Sequence, residues 1–483
     1  MRALAAAVTV VTLLFPYAEK LASPPMVEWK ACPEDAKVEC GTMRVPADWA
    51  NPLGPTVMLT IARRPALDPA ERIGTLVVNP GGPGGSAVNF TFDAPTFFSE
   101  ELRKHFDIVG MDPRGVGRST PILCSQDLVD ETPSPLVGDE REFAALIDYN
   151  RRLAADCRAR TGPVFGHVDT LSVVRDVDAL RAALGEEKIS FYGASYGSLM
   201  GEQYAEQYPD RLRALVLDGV MDHSVSVGTF LVQETDAAQD SFDEFVAWCA
   251  RDQTCVLRGQ DIPALWAGLV ERAAAGTLEN PYARPEKLRV SDLTTAAFAA
   301  FYQPEWYSFA YYLKDAAGLA VTARKAPPPE VDIVDHSFPP VICSDWYLPI
   351  TGFPDLRRRL AILRARAPQM LASPLAINSV AACLGWPSAP PNPQKPFAPS
   401  PGMPPVLLIG SEHDPATTYI WAERMARQLG PLASLVTYEG WGHVVYDHST
   451  CVSGAADAYL IGLTRPADGT ICPAVEPKPF GVL

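Results

Sequence analysis

Basic residues are in short supply in this chain of 483 residues. Its 41 lysines and arginines face 57 aspartates and glutamates, which gives a formal net charge of -16 at pH 7. Nucleic acids and anionic membrane surfaces are bound through basic patches. The composition therefore argues against nucleic acid or an anionic membrane surface as a partner.

Long apolar runs are missing after the amino terminus. The chain begins with Met1 and Arg2 and continues with the apolar run 3–15, which ends before Pro16. A basic start and an apolar run of this length are typical of a secretory signal peptide, and the run is too short to span a membrane. We expect residues 1–23 to be a signal peptide and the product to be secreted, with no membrane span after signal removal.

The cysteines of this chain do not have the spacing that is typical of zinc ligands. In an exported chain, ten cysteines without that spacing favour disulfides over metal ligands, although the sequence alone leaves the pairing open. We expect no metal site. The cysteines are Cys32, Cys40, Cys124, Cys157, Cys249, Cys255, Cys343, Cys383, Cys451 and Cys472.

One serine lies between glycines at a predicted strand-to-helix corner. Gly193-Ala194-Ser195-Tyr196-Gly197 follows the β-prone run 188–192 and precedes the helical stretch 198–208. This is the pattern of a nucleophile elbow, in which the tight turn requires small residues two positions before and after the serine. Because chance alone gives about 0.1 to 0.2 such matches in a chain of this length, the neighbouring segments must decide its meaning.

Three further segments follow predicted strands in the order of an α/β hydrolase. Glycines at 81, 82, 84 and 85 come after the strand 75–78, and their backbone N–H groups are open to a reacting oxygen. Asp414 follows the strand 406–410, and His443 follows the strand 435–438. Nucleophile, acid and base thus occur in the required order, each beyond the end of a strand.

The base and the acid each have competitors. His413 adjoins Asp414 and His448 lies five residues past His443, so both compete by position. Of the seven histidines, however, His443 alone follows a strand and a Gly-x-Gly turn, so we predict that it is the general base. Glu412 competes with Asp414 as the carboxylate that orients this histidine. We favour Asp414 because Pro415 stiffens the turn that presents it.

These segments resemble the secreted tripeptidyl aminopeptidase family, a branch of the α/β hydrolases related to proline iminopeptidases. The similarity extends over the segments 40–49, 79–86, 112–119, 192–197, 215–219, 343–346 and 440–472. It implies that Ser195, Asp414 and His443 form the catalytic triad, and that the backbone N–H groups of Gly82 and Tyr196 form the oxyanion hole. Pairing of each cysteine with the next one in the chain also fits the family.

The resemblance implies a secreted serine exopeptidase that releases di- or tripeptides from free N-termini without a cofactor. Two local differences bear on substrate fit. Ser411 stands where the family usually has glycine, and residues 414–418 read Asp-Pro-Ala-Thr-Thr in place of Asp-Pro-Val-Thr-Pro. An esterase, a lactonase or a biosynthetic small-molecule hydrolase with the same triad stays open as the alternative, because fold and triad do not name the acyl group.

The remaining pattern predicts an α/β fold with an inserted helical cap. Strand-like and helical runs alternate over 27–221, which predicts a mostly parallel sheet, and the core resumes at 401–483. Residues 222–400 are instead helical segments rich in aromatic residues, and this stretch ends in a proline-rich connector at 387–405. We read Asp218 and Gly219, after the strand that follows the elbow helix, as a turn.

An aminopeptidase needs an acid near the free ammonium group of its substrate. Glu202 on the elbow helix is one candidate, and it is equally well placed for the surface. Glu234 is the other, at the start of the acidic run 234–244, where a solvated helix face is the favoured interpretation.

Overall fold

The computed structural model describes residues 27–282, 286–318 and 332–478, so the predicted signal peptide lies outside the described residues. The strands are β1 (Glu28–Ala31), β2 (Glu39–Pro46), β3 (Thr56–Arg64), β4 (Gly74–Asn79), β5 (Phe106–Met111), β6 (Leu123–Ser125), β7 (Ile189–Ala194), β8 (Leu212–Asp218), β9 (Ile333–Asp335), β10 (Val406–His413), β11 (Ala433–Trp441) and β12 (Thr470–Cys472). The α-helices are α1 (Ala87–Phe97), α2 (Glu100–His105), α3 (Gln126–Asp130), α4 (Glu140–Thr161), α5 (Thr170–Ala183), α6 (Tyr196–Gln207), α7 (Val227–Arg251), α8 (Ile262–Ala274), α9 (Val290–Tyr302), α10 (Trp306–Ala316), α11 (Phe338–Asp345), α12 (Phe353–Arg366), α13 (Pro374–Cys383), α14 (Tyr419–Leu429) and α15 (Thr450–Gly462).

A ten-stranded sheet organises the chain in the order β1-β2-β3-β5-β4-β7-β8-β10-β11-β12. The first three pairings are antiparallel, and every pairing from β5 to β12 is parallel. The central strands β4, β5 and β7 are buried along their whole length, as expected where helices cover both faces of a parallel sheet. The predicted α/β fold with a mostly parallel sheet is confirmed.

Successive residues of these strands point into two different hydrophobic layers, because side chains alternate across a sheet. Val77 and Phe191 belong to the layer that also receives α5 and α6. Leu76 and Tyr192, each one residue away along its strand, belong to the opposite layer with α2 and α15. The carboxyl ends of β4, β7, β8, β10 and β11 therefore meet at one edge between two well-packed layers.

The segment between β8 and β10 contains α7 to α13, and part of it has a hydrophobic core of its own. Trp248, Trp306 and Tyr307 are buried there, as expected for aromatic residues that pack within a cap, whereas Tyr311 is 53% exposed. Helices α11 and α13 pack instead into the main layer beside α4 and α5. Residues 387–405 form neither helix nor strand. The division into core and cap at 222 and 400 stays a prediction.

Disulfides join each cysteine to the next one along the chain: Cys32–Cys40, Cys124–Cys157, Cys249–Cys255, Cys343–Cys383 and Cys451–Cys472. Each of these cross-links restricts the unfolded chain and stabilises the fold by about 2 to 4 kcal/mol. Within the described ranges, no helix combines the length and the apolar character needed to cross a bilayer.

Candidate active site

Ser195 occupies a strained corner between β7 and α6. Its φ of 56° and ψ of -127° lie outside the regions that residues with a side chain ordinarily adopt. Gly197 is required by close approach, since a Cβ there would lie 2.6 Å from the carbonyl oxygen of Asn79. Strain of this kind at a partly exposed serine is characteristic of a nucleophile elbow.

The glycine-rich loop after β4 lies directly against this corner. A Cβ on Gly81 would lie 2.5 Å from the carbonyl oxygen of Ala194 and 2.6 Å from the backbone nitrogen of Tyr196, so only glycine fits there. Tyr196 is the first residue of α6, where the N–H group has no partner within the helix. Gly82 follows in an exposed position. The N–H groups of Gly82 and Tyr196 are thus candidates for an oxyanion hole at a helix N-terminus.

Asp414 and His443 form a buried pair at the ends of β10 and β11. The Nδ1 atom of His443 lies 3.0 and 2.9 Å from the two carboxylate oxygens of Asp414. The same carboxylate accepts hydrogen bonds from the backbone N–H groups of Ala416 and Thr417 and from the Thr417 hydroxyl. These donors hold the carboxylate, which in turn places the imidazole proton on Nδ1.

The other ring nitrogen of His443 is an unused acceptor. Its Nε2 atom is buried and has no hydrogen-bond partner among the described residues, Ser195 included. Catalytic hydrogen bonds are often long in enzymes without substrate and shorten in the complex. Tyr302, at the end of α9, also contacts His443: its carbonyl oxygen accepts the backbone N–H of His443 at 2.7 Å, and the centroids of the two rings are 4.9 Å apart. The helical insertion therefore contacts the candidate base directly.

The competing residues lie elsewhere in the structure. Glu412 is exposed. The Nδ1 of His413 lies 2.7 Å from Asp240, and the Nε2 of His448 lies 2.7 Å from the side-chain oxygen of Gln303. Of the two candidate carboxylates, Asp414 is therefore the one that pairs with His443, and the side chains of His413 and His448 have other partners.

Glu234 is buried beside the site, so its interpretation as part of a solvated helix face is wrong. It is 1% exposed and accepts a hydrogen bond from Ser373 at 3.0 Å. Burial raises the pKa of its carboxyl well above the ordinary range, and the charge of Asp414 raises that pKa further. Burial also raises the pKa of Tyr302, with Glu234 and Asp414 as further causes. These three groups thus share one environment.

Glu202 is buried as well, but in another place. Burial raises the pKa of its carboxyl well above its usual range, and the nearby charges are Asp222 and Glu206 rather than the triad. It lines a small cavity together with His223 and Lys395, and its Oε1 atom has no partner in the described structure. Of the two candidate anchors, the structure brings only Glu234 close to Asp414.

Asp218 is a site residue that sequence reasoning missed. Its carboxylate is fully buried and accepts hydrogen bonds from the backbone just after His443. One feature of the sequence could have indicated this role: Asp218 is a charged residue at the end of the apolar run Leu215-Val216-Leu217. A turn at this place does not require a carboxylate, and charged residues are rarely buried without a partner.

Comparison with known proteins places this geometry in a family. The sequence profile of the α/β-hydrolase fold matches residues 74–449. The chain belongs to the α/β-hydrolase family. It is 32% identical to Serine protease Hip1 of Mycobacterium tuberculosis, with 94% of this chain and 92% of the relative aligned.

Two other relatives show how varied the named activities are. Carboxylesterase B of Mycobacterium tuberculosis is 32% identical over 93% of this chain and 90% of its own length. Tripeptidyl aminopeptidase of Streptomyces lividans is 29% identical over 94% of this chain and 88% of its own length. The similarity to tripeptidyl aminopeptidases is confirmed, and the chain is an enzyme of the serine-hydrolase class.

Proposed function

We propose that this α/β hydrolase is a secreted exopeptidase that releases di- or tripeptides from the free N-termini of peptides. The observation that carries the proposal is the buried Asp414–His443 pair. The Nε2 atom of His443, which has no hydrogen-bond partner in the part of the chain that the structure describes, lies at the same sheet edge as the strained Ser195. Relatives named as a serine protease and a tripeptidyl aminopeptidase support a peptide as the substrate.

Acylation begins when Nε2 of His443 accepts the hydroxyl proton of Ser195 and Oγ bonds to the scissile carbonyl carbon. Asp414 keeps the Nδ1 proton in place and stabilises the imidazolium. The negative oxygen of the tetrahedral intermediate accepts hydrogen bonds from the N–H groups of Gly82 and Tyr196. Each such donor typically lowers the barrier by about 2.7 to 4 kcal/mol.

Collapse of the intermediate breaks the peptide bond. The imidazolium gives its proton to the leaving amine, and the N-terminal fragment remains as an ester on Ser195. Water, deprotonated by His443, then bonds to the ester carbonyl carbon and forms a second tetrahedral intermediate. When this intermediate collapses, the bond to Oγ breaks, the imidazolium returns its proton to Ser195, and the fragment leaves as a carboxylic acid. These steps use only the chain's own residues and water.

Glu234 is the proposed anchor for the substrate's ammonium group. Its carboxyl is buried near Asp414 and Tyr302, where an ammonium ion would favour the ionised form of Glu234 and offset its repulsion from Asp414. An anchor for the ammonium group fixes the distance between the free N-terminus and Ser195. This distance determines how many residues lie before the scissile bond and so limits the released fragment to a short peptide. An N-blocked peptide cannot supply the cation and leaves the carboxyl unpaired.

The alternative is an ester substrate, which the relative named as a carboxylesterase supports. A panel of substrates separates the two: a tripeptide 4-nitroanilide with a free N-terminus, its N-acetyl derivative, a long peptide with a free N-terminus, and 4-nitrophenyl butyrate as a simple ester. We expect acetylation to lower kcat/KM by about 100-fold, as for loss of a buried charge pair. Equal cleavage of blocked and free peptides, or cleavage inside long chains, would contradict the exopeptidase proposal. Preference for simple esters over both peptides would favour the alternative.

A further inference from the structure

We propose that Asp218 is a positioning residue for the base: its side chain holds the backbone that follows His443 and thereby keeps the imidazole aimed at Ser195. This inference rests on the triad of the proposed function. It holds for any acyl substrate, because it concerns the base and not the specificity of the cleft.

The carboxylate of Asp218 binds the backbone two and three residues after His443. Its Oδ1 atom accepts the N–H of Val445 at 3.0 Å, and its Oδ2 atom accepts the N–H of Tyr446 at 2.9 Å and the N–H of Val445 at 3.1 Å. The hydroxyl of Tyr192 donates to Oδ2 at 2.7 Å. All of these contacts are buried, so water does not compete for them.

The segment that Asp218 binds is strained. Val444 has a φ of 62°, a left-handed conformation that is costly for a β-branched residue. Such a conformation persists only where the surroundings enforce it. The two N–H groups that Asp218 accepts come directly after Val444, so this carboxylate is well placed to enforce the turn that presents His443.

The backbone of the same residue is joined to the nucleophile. The carbonyl oxygen of Asp218 accepts the N–H of Ser195 at 2.8 Å. A Cβ on the next residue, Gly219, would lie 3.1 Å from Cε1 of His443, so the ring packs closely on this backbone. Asp218 thus connects the segments of Ser195 and His443 within one short stretch of chain.

Electrostatics favours the same role. Burial raises the pKa of the Asp218 carboxyl to about 6, opposed by the hydrogen bonds from Tyr192, Val445 and Tyr446 and by the charge of His443. At neutral pH the group is therefore mainly a carboxylate, and its hydrogen bonds to the His443 loop are charge-assisted.

The test compares Asp218→Asn with Asp457→Asn in the full chain, with a 4-nitrophenyl ester as the substrate. Asparagine has nearly the same shape as aspartate, but its N–H₂ group faces one of the backbone N–H donors and cannot accept a hydrogen bond from it. Asp457 is the matched control because its carboxylate accepts the side-chain hydroxyl of Tyr446 and not the backbone. We expect Asp218→Asn to lower kcat by about 10- to 100-fold with KM unchanged within about twofold, since small misplacement of a catalytic group has effects of this size. Asp457→Asn is expected to keep the wild-type kcat.

A double variant shows whether Asp218 acts through the base. In a His443→Ala background, Asp218→Asn should cause no further loss of the residual rate, because the group it positions is already gone. A full wild-type kcat in Asp218→Asn, with only a lower Tm, would overturn the proposal, as would an undiminished additional loss in the double variant.

Two controls keep the outcomes distinct. If Asp218→Asn does not fold, Asp218→Glu retains the charge but shifts the acceptors by one methylene, and we expect it to lower kcat at least about threefold; an unchanged kcat would overturn the proposal. A wrong assignment of the triad would give a different result, because Ser195→Ala would then hydrolyse the ester as fast as the wild type.

Discussion

The Nδ1 atom of His443 lies 2.9 Å from Oδ2 of Asp414, although the two residues are 29 positions apart and follow different strands. Their strands, β10 and β11, are parallel neighbours, so their carboxyl ends meet at one edge of the sheet. Because Asp414 also accepts two backbone N–H groups and one hydroxyl, its carboxylate cannot turn away from the imidazole. This rigidity is what a general base requires of its partner.

Replacement of His443 by alanine is expected to reduce kcat by about 10⁴-fold or more, because members of a catalytic triad act as a unit. The fold should survive, since the ring lies at a strand end and not within either hydrophobic layer. His413→Gln is the matched control, because His413 pairs with Asp240 and should retain activity within about fivefold. Steady-state kinetics together with circular dichroism checks both variants. Substantial turnover by His443→Ala would remove that residue from the role of base.

Asp414→Asn and Glu412→Gln differ in burial and should differ in effect. The first variant loses the acceptor for the Nδ1 proton and favours the wrong tautomer of His443, which typically lowers kcat by about 10⁴-fold. The second changes an exposed side chain and should stay within about twofold. Measurement of kcat for the two variants decides between the carboxylates. The reverse ranking would mean that Glu412 is the acid.

The KM for peptides with a free N-terminus should depend on pH through Glu234. Burial raises the pKa of its carboxyl, so the group must lose a proton before it pairs with an ammonium ion. Affinity should rise with pH as the carboxylate forms, then fall once the substrate's α-amino group deprotonates, with a pKa of about 7.7 to 8.0. KM should therefore pass through a minimum as the pH is raised.

Glu234→Gln provides the control for this pH dependence. It cannot ionise, so KM should be higher than in the wild type, and the rising part of the affinity profile should be absent. N-acetylated peptides should show no minimum with either protein. A wild-type KM that does not vary with pH would contradict the role of Glu234 as the anchor.

Acid should weaken the fold through His223. Burial lowers the pKa of its imidazole from 6.5 to about 4, while its ring donates to the carbonyl of Asp345. Between these pH values the unfolded chain binds a proton that the folded chain does not. The free energy of unfolding therefore falls as the pH drops from about 6.5 to about 4, by up to about 3 kcal/mol from this residue.

Urea unfolding at neutral pH and at about pH 4.5, for the wild type and His223→Gln, measures this contribution. The variant should lose less stability on acidification than the wild type. His105→Gln is the control. The backbone carbonyl of Glu71 raises the pKa of the His105 imidazole, so protonation of His105 stabilises the folded state, whereas protonation of His223 destabilises it. Equal acid sensitivity of the wild type and His223→Gln would contradict the assignment.

Much of the candidate site was predictable because local sequence determines it. The glycines around Ser195 are required by atoms that lie within 3 Å of where a Cβ would be, and such constraints leave a visible motif. Asp414 was preferred over Glu412 from the following proline, and the structure pairs Asp414 with His443. In each case, a strand end and a turn carried the information.

The surroundings of Glu234 and the contacts of Asp218 were not predicted from the sequence, because both come from distant segments. Glu234 shares its helix face with the buried Ala238 and Phe242, a spacing from which burial was predictable, but only the packing of α9 and α13 shows what surrounds it. Asp218 ends an ordinary strand, and its partners lie 227 and 228 residues further along the chain. No local pattern encodes contacts of that range.

The central claim is that Ser195 is the nucleophile that His443 activates. Treatment of the purified protein with a fluorophosphonate, followed by mass spectrometry of its peptides, tests this directly. We predict a single covalent adduct on Ser195, its absence in Ser195→Ala, and much slower labelling in His443→Ala. An adduct on another residue, labelling that persists in Ser195→Ala, or a wild-type protein that hydrolyses substrate without being labelled would contradict the account.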